Sequence, residues 1–293
     1  MTTLGEAWRE AEAAFRRARL HYGHGTHNAR DEAAWLVCSA ARVPFDDLAT
    51  SPERPLPPRT LGRIRTLAAR RIDEREPLAY LLNEAWLGPY RFYVDRRVIV
   101  PRSFIAELLP DGLDAWLPRG GVRRALDLCT GSGCLAILAA MTWPGARIDA
   151  VDLSAGALAV AKRNVADYRL GGRVRLRKSD LFAGVPDGRY DLVLSNPPYV
   201  DAPSMKRLPK EYRREPELAL AGGRDGLALV DRILREAPAR LTPRGVLVVE
   251  IGHNRAALER KHPRVPFTWL ATSAGDGFVF LLRRPDLGLV ERG

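Results

Sequence analysis

The run Ser195-Asn196-Pro197-Pro198-Tyr199-Val200 closes an apolar, β-prone stretch and carries the most pointed chemistry in the chain. An amide or aryl-amine nitrogen is a poor nucleophile because its lone pair is delocalised. Two acceptors aimed at its N–H bonds would fix its plane and return electron density to nitrogen. The Asn196 side-chain oxygen can be one acceptor and the Pro197 carbonyl the other. The two prolines lack an N–H and hold φ fixed, so the loop keeps little freedom. Tyr199 can stack on a flat acceptor group. Asn196, Pro197, Pro198 and Tyr199 are therefore the candidate catalytic set, acting by positioning and electrostatics. A rigid surface turn would use the same four residues, so their meaning depends on what precedes them.

Three acids precede them at strand ends. A strand expected over residues 124–128 runs into Asp127-Leu128-Cys129-Thr130-Gly131-Ser132-Gly133. Glycines at the carboxyl end of a strand in an open α/β sheet let the backbone turn sharply and approach a ligand closely. The spacing is not the G-x-G-x-x-G of a pyrophosphate loop, and an acid opening the loop would repel phosphate. Asp127 suits a ligand with a cationic end. Asp152 ends the next expected strand, where a carboxylate can accept both hydroxyl hydrogens of a ribose. Asp180 follows the third, where it can accept from an adenine amino group while Leu181 and Phe182 cover the ring. The candidate cofactor set is Asp127, Cys129, Thr130, Gly131, Ser132, Gly133, Asp152, Asp180, Leu181 and Asn196. Helix caps and turns of an unrelated α/β protein would draw on the same residue types.

The elements that must position these residues alternate from about residue 120. Strands are expected over 124–128, 147–151, 174–177, 190–194 and 246–251. Helices are expected over 134–141, 155–168 and 227–241. Such alternation implies a parallel sheet covered on both faces. Two strands near 267–271 and 278–282 add a hairpin. Before residue 85 the pattern is helical, with Trp8, Ala11, Phe15 and Ala18 at helical spacing and Asn28 as an N-cap. Residues 51–58 contain four prolines and read as a loop. Arg59, Arg63 and Arg70 share one face of the next helix, which either touches RNA or is simply wet. Residues 86–100 turn aromatic and β-branched and read as a β-hairpin.

The strand-end acids resemble those of class I S-adenosylmethionine-dependent methyltransferases. That resemblance implies an α/β fold with a seven-stranded, mostly parallel sheet whose last strand is antiparallel. It implies S-adenosyl-L-methionine as cofactor, with Asp127 near the methionine part, Asp152 on the ribose and Asp180 on the adenine. Glu76-Pro-Leu-Ala-Tyr80-Leu, Phe92-Tyr-Val and Val98-Ile-Val-Pro101-Arg102 are similar to the HemK family of glutamine methyltransferases. This implies a small helical N-terminal substrate-recognition domain over 1–84, a β-hairpin linker over 85–102 and a catalytic domain over 103–293. One subgroup methylates the Gly-Gly-Gln motif of peptide-chain release factors, the other a glutamine of ribosomal protein L-three. Pro101-Arg102-Ser103-Phe104-Ile105-Ala106-Glu107 resembles the second. So do Leu208-Pro-x-Glu211-Tyr212-Arg213, Glu215-Pro-Glu-Leu218 and Val265-Pro-Phe-Thr-Trp-Leu270. The expected substrate is therefore ribosomal protein L-three, free or in a ribosomal precursor. Methylation of the release factor, or of an exocyclic amine in nucleic acid, stays open, as does a non-catalytic RNA-binding role.

The bulk properties set the limits. The 293 residues suffice for one large domain and a smaller one. No apolar run reaches the ~18 residues of a membrane span, and the start has no secretory signal, so a cytoplasmic protein without a membrane partner is expected. Cys38, Cys129 and Cys134 show no CxxC spacing, which predicts buried free thiols and no metal site. His21, His24 and His27 lie around Gly23 and Gly25 and read as loop residues. The net charge of +11 favours an acidic partner. Lys206, Arg207, Lys210, Arg213 and Arg214 follow the tetrad and either contact rRNA or are merely solvated.

Overall fold

In the computed structural model residues 1–117 and 119–290 are described. Pro118 and the last three residues of the expected catalytic domain lie outside them. Thr3 and Glu6 form a capping box that starts α1 (Leu4–Arg17). The Asn28 side chain accepts from the Asp31 N–H and starts α2 (Ala29–Ala41), as its position predicts. A single turn, α3 (Asp47–Thr50), precedes the proline-rich loop. That loop is one residue shorter than expected, because Pro58 opens α4 (Pro58–Asp73), where its missing N–H leaves no bond unmade. The short α5 (Leu78–Leu82) completes the helical part.

Leu4, Phe15, Leu36 and Ile64 share one core in this part, and Arg59, Arg63 and Arg70 face water. Arg71 breaks the pattern. It is only 1% exposed, its Nε lies 2.5 Å from Glu32 Oε1, and Thr26 donates to the other Glu32 oxygen at 2.8 Å. Helical spacing puts Arg71 on the buried face with Ile64, Leu67 and Ala68, whereas Arg70 lies off it. The buried Glu32 carboxylate on α2 is what lets an arginine occupy that face.

The hairpin is real but short: β1 (Ala85–Leu87) pairs with β2 (Tyr90–Phe92). Residues 93–100, expected to continue it, form no strand. Val94, Val98 and Val100 sink into the helical core, and side chains take over the backbone bonding. Tyr93 N donates to Asn164, and Val100 N donates to Glu215. One more turn, α6 (Ile105–Leu108), leads into the sheet.

The sheet elements follow in the order β3 (Arg124–Leu128), α7 (Cys134–Thr142), β4 (Arg147–Asp152), α8 (Ala155–Asp167), β5 (Val174–Lys178) and β6 (Tyr190–Ser195). Then come α9 (Ala202–Arg207), α10 (Ala228–Arg240), β7 (Leu241–Glu250), α11 (Arg255–Lys261), β8 (Thr268–Thr272) and β9 (Gly275–Arg283). The spatial order is β5-β4-β3-β6-β7-β9-β8. Strands β3 to β7 pair in parallel, and β9 runs antiparallel to both neighbours. The expected seven strands are all present. Alternate residues point to opposite faces, as strand geometry requires. Ala125, Leu192 and Val248 pack with α7, while Leu126, Val193 and Leu247 pack with α10. The helical part rests on α8 through Ala157 and Val160.

Arg71→Ala would leave the Glu32 carboxylate buried without its cation. The expected loss is about 3–5 kcal/mol, read as a lower urea midpoint. An unchanged midpoint would show that the pair does not stabilise the helical part.

Candidate active site

The chain winds from β3 outward to β5, then returns to the other side of β3 with β6. Ligands of open α/β sheets sit at the carboxyl ends of strands beside such a reversal. The two motifs meet there, because Leu128 and Ser195 are register partners and the Ser195 hydroxyl donates to the Leu128 carbonyl at 3.1 Å.

A cleft of about 760 Å³, part of it open to solvent, lies at this point. Of the expected residues, Cys129, Gly131, Asp152, Asp180, Leu181, Asn196 and Pro198 line it. Asp127 and Thr130 are buried and do not line it. Thr130 Oγ1 donates to Asp127 Oδ2 at 2.5 Å, and Ala136 N donates to the same oxygen at 3.2 Å. Asp127 Oδ1 has no partner. Burial pushes this carboxyl up to about 7, against the pull of those two hydrogen bonds. Ser132 and Gly133 turn inward, where the Ser132 carbonyl accepts from Asn164 and Gly133 caps α7. Cys129 is half-buried at the cleft wall, unlike Cys38 and Cys134, so the expectation of three buried thiols holds for two.

Asp152 bridges the first two strand ends. It accepts from Gly131 N at 2.9 Å and Ser154 N at 2.8 Å. A carboxylate has about four lone-pair sites, so both oxygens can still accept from hydroxyls. Asp180 is exposed and its carboxylate accepts from Arg232 at 2.9 Å. Ile99, Leu153, Leu181, Leu229 and Leu218 give the cleft an apolar lining. Sequence reasoning missed the walls formed by residues 97–99 and by Pro216, Leu218 and Ala219. The Glu215-Pro216 run had marked the second wall only as a resemblance.

The tetrad is held from behind. Asn196 stands in the cleft, whereas Pro197 and Tyr199 do not line it. The Tyr199 hydroxyl donates to Glu250 at 3.2 Å, and the Asn254 side chain donates to the Tyr199 carbonyl at 2.8 Å. Two glycines at positive φ leave room for it. A Cβ at Gly226 would fall 2.5 Å from the Tyr199 carbonyl oxygen, and one at Gly252 would fall 2.6 Å from the ring. Glu250 is buried at the end of β7 and also accepts from Ser103 Oγ at 2.7 Å and Phe104 N at 2.9 Å. Burial raises its carboxyl above the ordinary range although these bonds oppose the shift.

Residues 6–82 match the family model described as the PrmC N-terminal domain, and residues 108–208 match the methyltransferase small domain. A curated Neisseria meningitidis protein, ribosomal protein uL3 glutamine methyltransferase, is 54% identical over 98% of this chain and 95% of its own length. The chain belongs to that family. Relatives of the same name from Burkholderia pseudomallei and Bradyrhizobium diazoefficiens are 50% and 45% identical, over 98% of this chain and 96% and 92% of their own lengths. The resemblance to the ribosomal-protein subgroup is thus borne out. The crystal structure of the hMettl16 catalytic domain in complex with MAT2A 3'UTR hairpin 6 superposes with a TM-score of 0.52 at 18% identity. It covers 76% of this chain and 80% of that one, and shows the shared class I methyltransferase fold.

The methyl donor of this family, S-adenosylmethionine, fits the cleft. Asp152, in the lining, keeps acceptor capacity for hydroxyls, and the leucines suit a flat ring, whereas Asp127 stays buried outside the lining.

Asp127 also gives the fold a pH signature. Its carboxyl titrates near 7 when folded and near 3.9 when unfolded, so folding favours the protonated form. That contribution is complete below about pH 4 and is lost as the pH rises to 7. The stability of Asp127→Asn minus that of the native chain is expected to grow by roughly 1 kcal/mol per pH unit over this window. A pH-independent difference would contradict the burial argument.

Proposed function

We propose that this protein transfers a methyl group from S-adenosylmethionine to the side-chain amide nitrogen of a glutamine in ribosomal protein uL3. The observation that carries this reading is Asn196, standing in the same cleft as Gly131, Asp152 and Leu181 on a loop fixed by Tyr199.

The donor supplies an activated methyl on a sulfonium. The Asp127 carboxylate, buried outside the cleft lining, would favour the cationic end by charge rather than by contact. Asp152 accepts from the ribose, and Leu181 covers the adenine. Asp180 turns from Arg232 toward the adenine amino group or shares itself between them. Cys129, Thr130, Gly131, Ser132 and Gly133 shape the loop beneath. The Asn196 oxygen and the Pro197 carbonyl accept the two amide N–H bonds of the glutamine and set its plane. Pro198 and Tyr199 keep both acceptors in place, because φ is fixed and the phenol is anchored. Tyr199 acts from behind, held by Glu250, and this replaces the stacking role expected from sequence. No base is needed, since a methylated cationic amide nitrogen gives its proton to water.

Lys206, Arg207, Lys210, Arg213 and Arg214 are all exposed, while the acids among them, Glu211 and Glu215, are buried. The outward face is therefore of one sign, and we read it as contacting rRNA beside uL3. Among the described residues no helix is long and apolar enough to cross a membrane. A ribosomal substrate supports a cytoplasmic location.

Radiolabelled donor offered to uL3, a release factor and rRNA separates the readings. Label is expected in uL3, faster at low salt when rRNA accompanies it, and Asn196→Ala is expected to cut turnover at least 100-fold while donor binding persists. Label in the release factor or in RNA would overturn the substrate. Full activity of Asn196→Ala would overturn the role of the tetrad.

A further inference from the structure

Two segments with no backbone hydrogen bond between them form part of the cleft wall. Residues 97–99 are one, and Pro216, Leu218 and Ala219 are the other. One side chain ties them together. The Glu215 carboxylate, directly before Pro216, is fully buried. It accepts from Val100 N, directly after the first segment, at 2.9 Å. It also accepts from two Arg102 nitrogens at 2.6 and 2.7 Å. Burial alone would raise this carboxyl, but Arg102 and His24 pull it down to about 2, so it is ionised throughout the working range.

The link is braced from the helical part. Tyr212, one turn ahead of Glu215, lies with its ring 4.3 Å from the His24 ring and 5.3 Å from the Arg102 guanidinium. Glu211 accepts from His21 N at 3.0 Å and from Arg75 at 3.3 Å. The second wall is therefore anchored at three successive points before it reaches the cleft. His24, expected to be a loop residue, is buried within this brace.

We propose that Glu215 is a positioning residue that fixes the distance between the two cleft walls, with Arg102 as its counter-charge, and so sets the affinity for the methyl donor. This rests on reading the cleft as the donor site. A bidentate pair holds both distance and angle, which a single neutral bond does not.

The test is calorimetric binding of S-adenosylhomocysteine to the full chain, with thermal melting measured on the same samples. Glu215→Ala and Arg102→Ala are expected to raise Kd at least tenfold and to lower Tm, since each leaves one partner uncompensated. The double variant Glu215→Ala/Arg102→Ala leaves no unpaired charge. Its Tm is expected to recover most of the loss, while its Kd stays at least tenfold above the native value because the walls are still unlinked. Glu215→Gln, which keeps shape and one acceptor, is expected to fall between. Recovery of both Tm and Kd in the double variant would overturn the proposal and leave the pair a stabilising contact only. If a single variant does not fold, the double variant decides. Failure of the native chain to bind would sink the donor-site reading and this proposal with it, whereas native binding with no change in the variants sinks this proposal alone.

Discussion

The Glu250 carboxylate ends β7 in a buried pocket and receives three hydrogens, from Tyr199, Ser103 and Phe104. The first belongs to the tetrad and the other two to the segment that enters the sheet domain. A delocalised nitrogen is activated only while its acceptors stay in plane and at hydrogen-bonding distance, so the tetrad must not swing. Two prolines limit its φ angles, but they do not fix where the loop points. The Tyr199 anchor does that, and Gly226 and Gly252 leave the room it occupies. Preorganisation of this kind needs no reorganisation at the moment of reaction.

The donor side works by the opposite logic. Asp127 has one partnerless oxygen, and burial resists its ionisation. Asp152 has its orientation fixed by two backbone donors yet keeps acceptor capacity. Asn196 and Asp152 thus share one cleft at the carboxyl ends of the sheet strands.

Much of this was legible in the chain. The ends of β3, β4, β5 and β6 fall within a residue or so of their expected positions, because apolar runs there end in Asp, Gly or Pro. The hairpin was overextended. Val94, Val98 and Val100 look β-prone, yet the helical core buries them as an irregular segment. Arg71 sits at the spacing of the buried Ile64, Leu67 and Ala68, but its partner Glu32 lies 39 positions away and no local pattern names it. His24 lies in a loop, as the flanking Gly23 and Gly25 imply, but its burial against Tyr212 was not legible. The engagement of Asp180 by Arg232 and the link from Glu215 to Val100 join residues 52 and 115 positions apart. No local pattern encodes such contacts. The positions of the tetrad and of the acids at strand ends were readable because the strands that carry them are marked by residue type.

The central claim is that the cradle of Asn196 and Pro197 presents a planar amide nitrogen. Fragment mass spectrometry of uL3 after turnover tests it most directly, because it locates the methyl group on one atom. A single methyl on a glutamine side-chain nitrogen is the predicted result. A methyl on a lysine, an arginine or a terminal amine, none of which is a primary carboxamide, would contradict it.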